Sequence, residues 1–177
     1  MREVYYGLTK GKSWTSKLIE FWTRSNRSHA FFVNPEIFDG TKNSLYRLGS
    51  IIEAWNKPNE SIFKTRVIKS WVQYHSPGTL FTIYKLNVDD EAYQKILEFQ
   101  KVCAYLEIPY DWKAIVAFVL PMKLKRNGYL FCSEKECLSL KYAGILPNEI
   151  ECWKVSPDRF EALLLTLGAK KVLEFTS

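Results

Sequence analysis

The chain has 177 residues, of which 47% are hydrophobic, 25% charged and 15% aromatic. That apolar content excludes a disordered chain, and the length suits one domain burying about 70% of its unfolded surface. Lys and Arg number 25 against 19 Asp and Glu, a formal charge of +6 that leaves room for an anionic partner.

In chain order, Trp14, Leu18, Phe21 and Trp22 recur at i, i+4, i+7 and i+8. This spacing predicts a helix over 14–24 whose apolar stripe packs on the core. The period then changes. Residues 29–33 (HAFFV) and 46–55 (YRLGSIIEAW) read as strands, separated by Asn34-Pro35 and Asp39-Gly40. Further strands are expected over 62–69 and 79–86, the second following Ser76-Pro77-Gly78. From Asp89 the pattern is helical: Tyr93, Ile96, Leu97, Gln100, Cys103 and Ala104 share a face, Asp89 or Asp90 caps it, and Pro109 ends it.

Asp111 can cap a second helix with a stripe of Trp112, Ile115, Val116 and Val119. Ser133-x-x-Glu136 reads as a capping box and predicts a helix from about 133 to Gly144. Ser156-Pro157 places a cap and an N1 proline ahead of Phe160, Leu163, Leu164 and Leu167, with Gly168 as the stop. Residues 170–175 form a last strand. The expected class is α+β, with helices and strands largely segregated and residues 1–177 forming a single domain.

The longest uninterrupted apolar run, Ala114 to Met122, is nine residues and contains Pro121, whereas a membrane span needs about 20. The opening MREVYYGLTKGK lacks the apolar centre of a signal peptide. A cytoplasmic protein without a transmembrane segment is expected. Positive charge is concentrated in residues 1–30 (Arg2, Lys10, Lys12, Lys17, Arg24 and Arg27 against Glu3 and Glu20) and in 121–141. Cys103, Cys132, Cys137 and Cys152 form no C-x-x-C pair. The spacing speaks against a zinc site, and a cytoplasmic chain speaks against disulfides. No metal or other cofactor is expected, and most of the thiols should be small core hydrophobes.

One thiol stands apart. Cys132 directly precedes the Ser133 capping box, at a helix N-terminus where backbone N–H groups and the dipole favour an anion. A thiol there ionises more readily, and the thiolate is the nucleophile. His29 opens the HAFFV strand, on the side of Phe31 and Val33, where a rigidly held imidazole suits a general base. Glu53 interrupts Ile51-Ile52-Glu53-Ala54-Trp55. A carboxylate there must reach solvent or find a partner, and a histidine on a neighbouring strand would serve. Each residue also has a plainer use: a buried cysteine, a structural histidine, an edge charge. The other histidine, His75, lies in a turn and reads as an exposed loop residue.

Taken in order, Ser28-His29-Ala30-Phe31-Phe32, Ile52-Glu53-Ala54 and Phe131-Cys132-Ser133-Glu134 resemble the signature of the circularly permuted papain-like hydrolases. These are the YiiX-like relatives of the NlpC-type cell-wall peptidases. Lys12 through Thr23 is similar to the helix before that group's histidine strand. Ile108-Pro109-Tyr110-Asp111 resembles its Pro-Tyr-Asp turn, and Ser156-Pro157 a late element. Two places depart from the pattern. Ala30-Phe31-Phe32 is bulkier than the usual small aliphatics, and Lys135-Glu136-Cys137 stands where apolar residues are usual.

The resemblance implies a permuted papain-like fold, an antiparallel sheet packed against helices, with the cysteine helix late in the chain. By motif Cys132 is the nucleophile, His29 the base and Glu53 the residue orienting His29. It implies a cysteine peptidase or amidase working through an acyl-enzyme, with peptidoglycan peptides among the substrates. The partner is then a peptide or acyl substrate, anionic in some cases, with no obligate nucleic acid. Two rivals remain open: a lipid acyltransferase or thioesterase of the same fold, and a non-catalytic basic binding module.

Overall fold

Val4, Tyr6 and Leu8 alternate with Tyr5, Gly7 and Thr9, the period of a strand. In the computed structural model Arg2–Lys10 is strand β1. The structure describes residues 1–55, 64–67, 75–109, 111 and 129–177. Along them follow helix α1 (Trp14–Thr23), strands β2 (His29–Val33), β3 (Ile51–Trp55), β4 (Lys64–Val67) and β5 (Leu80–Val88), helices α2 (Asp90–Tyr105), α3 (Cys132–Tyr142) and α4 (Pro157–Thr166), and strand β6 (Lys170–Thr176). The helix expected after Asp111 and the basic residues 123–126 lie outside the described residues.

The strands form one sheet in the order β4-β3-β2-β1-β5-β6, each neighbouring pair antiparallel. The class is α+β. Strand β1, which the sequence reading left out, lies between β2 and β5, with Thr9 opposite both His29 and Phe81. Val4, Tyr6, Leu8, Ala30 and Phe32 bury one face of the sheet against Ile96 and Leu97 of α2, Leu140 of α3, and Phe160 and Leu164 of α4. The other face buries Phe31, Val33, Ile51, Phe81 and Ile83 under Phe38 and Leu45 of the 34–50 connection. Of the strand expected over 46–55 only Ile51–Trp55 forms: Tyr46 ends a 3-10 turn, Lys42–Tyr46, capped by Thr41, and residues 47–50 are a turn. Among the described residues, no helix is long and apolar enough to cross a membrane.

Caps behave as their chemistry demands at three helices. Ser13 Oγ accepts from the Ser16 N–H, Asp89 from Ala92 and Ser156 from Arg159, with Pro157 at N1. Helix α3 corrects the capping-box reading. Its N-cap is Phe131, and Ser133 lies inside the helix, where its hydroxyl donates to the Val155 carbonyl at 2.7 Å. Glu136 turns away to Lys135 and Gln100.

A second correction concerns sulfur. Cys137 and Cys152 form a disulfide, their Cα atoms 5.5 Å apart, although the sequence reading expected only free thiols. The bend after α3 returns the chain to within the 4.4–6.8 Å window, roughly, that a disulfide requires. Cys103 and Cys132 remain free and buried.

Candidate active site

Strand β2 begins at His29, and the loop before it is anchored. Arg27 donates from Nε and Nη2 to the two carboxylate oxygens of Glu161 on α4, at 2.9 and 2.5 Å. Its Nη1 donates to Thr82 at 3.1 Å. Such bidentate pairing fixes geometry as well as charge. The Asn26 N–H adds a bond to Asp158 at 2.8 Å. The imidazole therefore projects from a firmly held start of strand.

Glu53 shares the face of Ile51, because successive residues of a strand alternate, and is completely buried. With Ile52 paired to Phe32, Glu53 falls one position towards the His29 end of β2. Protonated His29 donates from Nε2 to Glu53 Oε2 at 2.9 Å. This is the partner that a buried carboxylate on β3 requires.

Cys132 is the first residue of α3 and is 2% exposed. Its side chain hydrogen-bonds to His29. With Nε2 committed to Glu53, Nδ1 is the ring nitrogen left for the sulfur. Burial alone would favour a neutral ring. The Cys132 sulfur and then the Glu53 carboxylate outweigh it, and the His29 pKa is pushed from 6.5 up to about 10. The arrangement is an imidazolium bonded to both the Cys132 side chain and the Glu53 carboxylate. Cys103 makes the contrast: burial pushes its thiol up to about 11, leaving it protonated at neutral pH.

The structure thus brings together all three residues singled out from the sequence. It adds a fourth neighbour. The His75 ring lies 6.3 Å from that of His29, centroid to centroid, and meets the edge of Phe81 at 5.1 Å. His75 is half-buried, not an exposed loop residue. Its turn leads into β5, whose first residues register with the end of β1 beside His29. That proximity follows only once β1 is recognised. On the opposite side His29 stacks on Phe31 at 6.0 Å. Phe31 lies across Gly7, where a Cβ would come within 2.0 Å of its ring. A bare glycine is what lets the ring lie flat over β1 and back the imidazole.

Behind Cys132 the helix is pinned by charge. Lys135, Glu136 and Gln100 are completely buried. Lys135 Nζ pairs with Glu136 Oε1 at 2.6 Å and donates to Gln100, whose Nε2 donates to Glu136 Oε2 at 2.7 Å. Burial raises the Glu136 pKa, against the pull of Lys135, Gln100 and His29. Sequence reasoning found Lys135 and Glu136 only as departures from a pattern. Among the described residues, no group of three or more His, Cys, Asp or Glu is arranged to hold a metal ion. No family model matches this chain, and no curated protein is similar enough to count as a relative.

Proposed function

We propose that the protein is a cysteine-dependent hydrolase of the permuted papain-like kind, acting on peptide or amide bonds, peptidoglycan stem peptides among them. One observation carries this reading: Cys132 opens a helix and hydrogen-bonds to a charged His29 that is in turn bonded to buried Glu53. Nucleophile, base and orienting acid are thus linked in the order that acyl transfer needs.

The Cys132 thiolate attacks the scissile carbonyl carbon, and the developing oxyanion is received by backbone N–H groups of the first turn of α3. The carbon–nitrogen bond breaks as His29 gives its proton to the departing amine, leaving a thioester on Cys132. His29 then takes a proton from water, whose oxygen attacks the thioester carbon. The carbon–sulfur bond then breaks, the carboxylic acid departs, and Cys132 is left as a thiolate beside the protonated His29. Glu53 holds the ring orientation and balances its charge throughout.

The test is alkylation by a small iodoacetamide probe, with the modified residue identified by mass. Cys132 is expected to react at a level rate from about pH 6 to about pH 9, because an ion-paired sulfur needs no base to ionise it. Since His29 keeps its proton until about pH 10, the plateau should bend only above that. In His29→Ala the rate should climb through the ordinary thiol range, and Cys132→Ala should abolish the fast reaction. Equal labelling of Cys103, or a wild-type rate that climbs with pH as in a free thiol, overturns the assignment. Trapping a thioester on Cys132 with stem peptides then reads the substrate class.

A further inference from the structure

Helix α1 is rolled the wrong way for a helix that only packs. Trp14, Leu18 and Phe21, at i, i+4 and i+7, are 76%, 38% and 73% exposed. The side towards the protein carries Ser16, Ile19, Glu20 and Thr23, all partly covered. Their polar groups are used locally, Ser16 Oγ with Ser13 Oγ at 2.8 Å and Thr23 Oγ1 donating to the Ile19 carbonyl at 2.7 Å. The hydrophobic effect within this chain would have favoured the opposite face. Trp14, Leu18 and Phe21, expected in the core, therefore face solvent, while the side chain of Trp22 lies outside those described.

The exposed charges around it are cationic, although Lys17 also pairs with the mostly covered Glu20 at 3.5 Å. Lys10 and Lys12 precede the helix, Lys17 flanks the stripe and Arg24 follows it, all exposed. The one acid of the helix, Glu20, is turned inward, its side chain 12% exposed. Another exposed apolar group among the described residues, Val102, Tyr105 and Leu106 at the end of α2, has mixed charge beside it, Glu98 and Glu107 with Lys101.

We infer that α1 docks the protein on an anionic lipid surface. The helix lies in the interfacial plane with Trp14, Leu18 and Phe21 inserted, and Lys10, Lys12, Lys17 and Arg24 meet the headgroup phosphates. Aromatic rings at both ends of a short helix suit the headgroup level. A second copy of the chain fits worse. The three side chains offer on the order of 400 Å², half of the about 800 Å² per partner that a stable interface needs. Two copies would also oppose four cations to four. Single-stranded nucleic acid fits worse too, because Leu18, between the rings, has no π-face for stacking.

Docking would bring the lipid surface to the candidate site. Thr9 pairs with His29, and α1 follows closely on that end of β1. Lys12 Nζ also lies over Gly78, 2.9 Å from where a Cβ would stand, in the turn that follows His75. The inference does not depend on any catalytic role for Cys132.

The test is co-sedimentation of the full chain with phosphatidylcholine vesicles, with and without about one-third phosphatidylglycerol. Wild type should bind the anionic vesicles, weakly the neutral ones, and release as salt is raised. Trp14→Ser/Phe21→Ser should weaken binding by about tenfold or more with an unchanged circular dichroism spectrum. Lys12→Glu/Lys17→Glu should lose the preference for anionic vesicles, while Tyr105→Ser and Cys132→Ala bind as wild type does. Equal binding to both vesicle types, or full binding by the Trp14/Phe21 variant, overturns the inference. So does a variant whose only loss is of dimer in sedimentation velocity, or of oligonucleotide binding.

Discussion

In α1, Trp14 and Phe21 stand 76% and 73% exposed, whereas in α3 Lys135 and Glu136 are completely buried. At these positions the usual placement of apolar and charged side chains is inverted in both helices. In α3 the inversion is balanced inside the molecule, because Lys135, Glu136 and Gln100 satisfy one another. In α1 the two aromatic rings are left largely in solvent, and the lipid surface inferred above is what would cover them. The comparison teaches that an element's hydrophobicity decides its burial only where no partner, internal or external, has a stronger claim.

The largest consequence should be on α3. Lys135→Met leaves Glu136 buried without its cation and should cost about 3–5 kcal/mol of stability in urea denaturation. Replacing the whole group (Gln100→Leu, Lys135→Met, Glu136→Leu) should recover most of that loss, because no charge is then stranded. If the single variant were no less stable than wild type, the mutual pairing of these three groups would not be what holds α3.

An intermediate effect belongs to the disulfide that ties α3 to the segment before α4. Cys137→Ala/Cys152→Ala should lower stability by about 2–4 kcal/mol against oxidised wild type. A reducing agent should bring wild type down to the level of the variant. Thiol counting under denaturing conditions should find two reactive sulfurs, Cys103 and Cys132, before reduction. The smallest effect belongs to α1: Trp14→Ser should change stability by no more than about 0.5 kcal/mol in the same denaturation, as at other surface sites. A loss several times larger would place that side chain in the core after all.

Much of the fold was legible where local chemistry decides. Asp89 and Ser156 cap the helices they were expected to cap, and Tyr93, Ile96, Leu97, Gln100 and Cys103 bury the expected face of α2. Residues 29–33 are a strand as expected, and the strand expected over 170–175 runs from Lys170 to Thr176. What failed was decided at a distance. Strand β1 opens with charged Arg2 and Glu3 and was missed despite the alternation of Val4, Tyr6 and Leu8; β2 and β5 on either side give its backbone partners. Ser133 has the right spacing for a cap, but a carbonyl from residue 155 claims its hydroxyl.

The site divides along the same line. His29, Glu53 and Cys132 were each weak as single residues and strong only as an ordered set. His75 carried no signal, since its neighbourhood depends on the unrecognised strand. The pairing of Cys137 with Cys152 was likewise hidden, because the bend that joins them is tertiary. Periodicity found α1 correctly but assigned its stripe to the core, since a helical pattern shows which residues share a face and not what that face meets.

The order of the parts along the chain has a bearing on biosynthesis. During synthesis the imidazole and its carboxylate leave the ribosome early, on β2 and β3, while the sulfur arrives in the last third, on α3. Until that helix docks, His29 and Glu53 have no sulfur beside them. The charged buried group on α3 can form only when α2 is already waiting for it. On the hydrolase reading proposed above, a chain stalled before that point would lack its nucleophile and be inert.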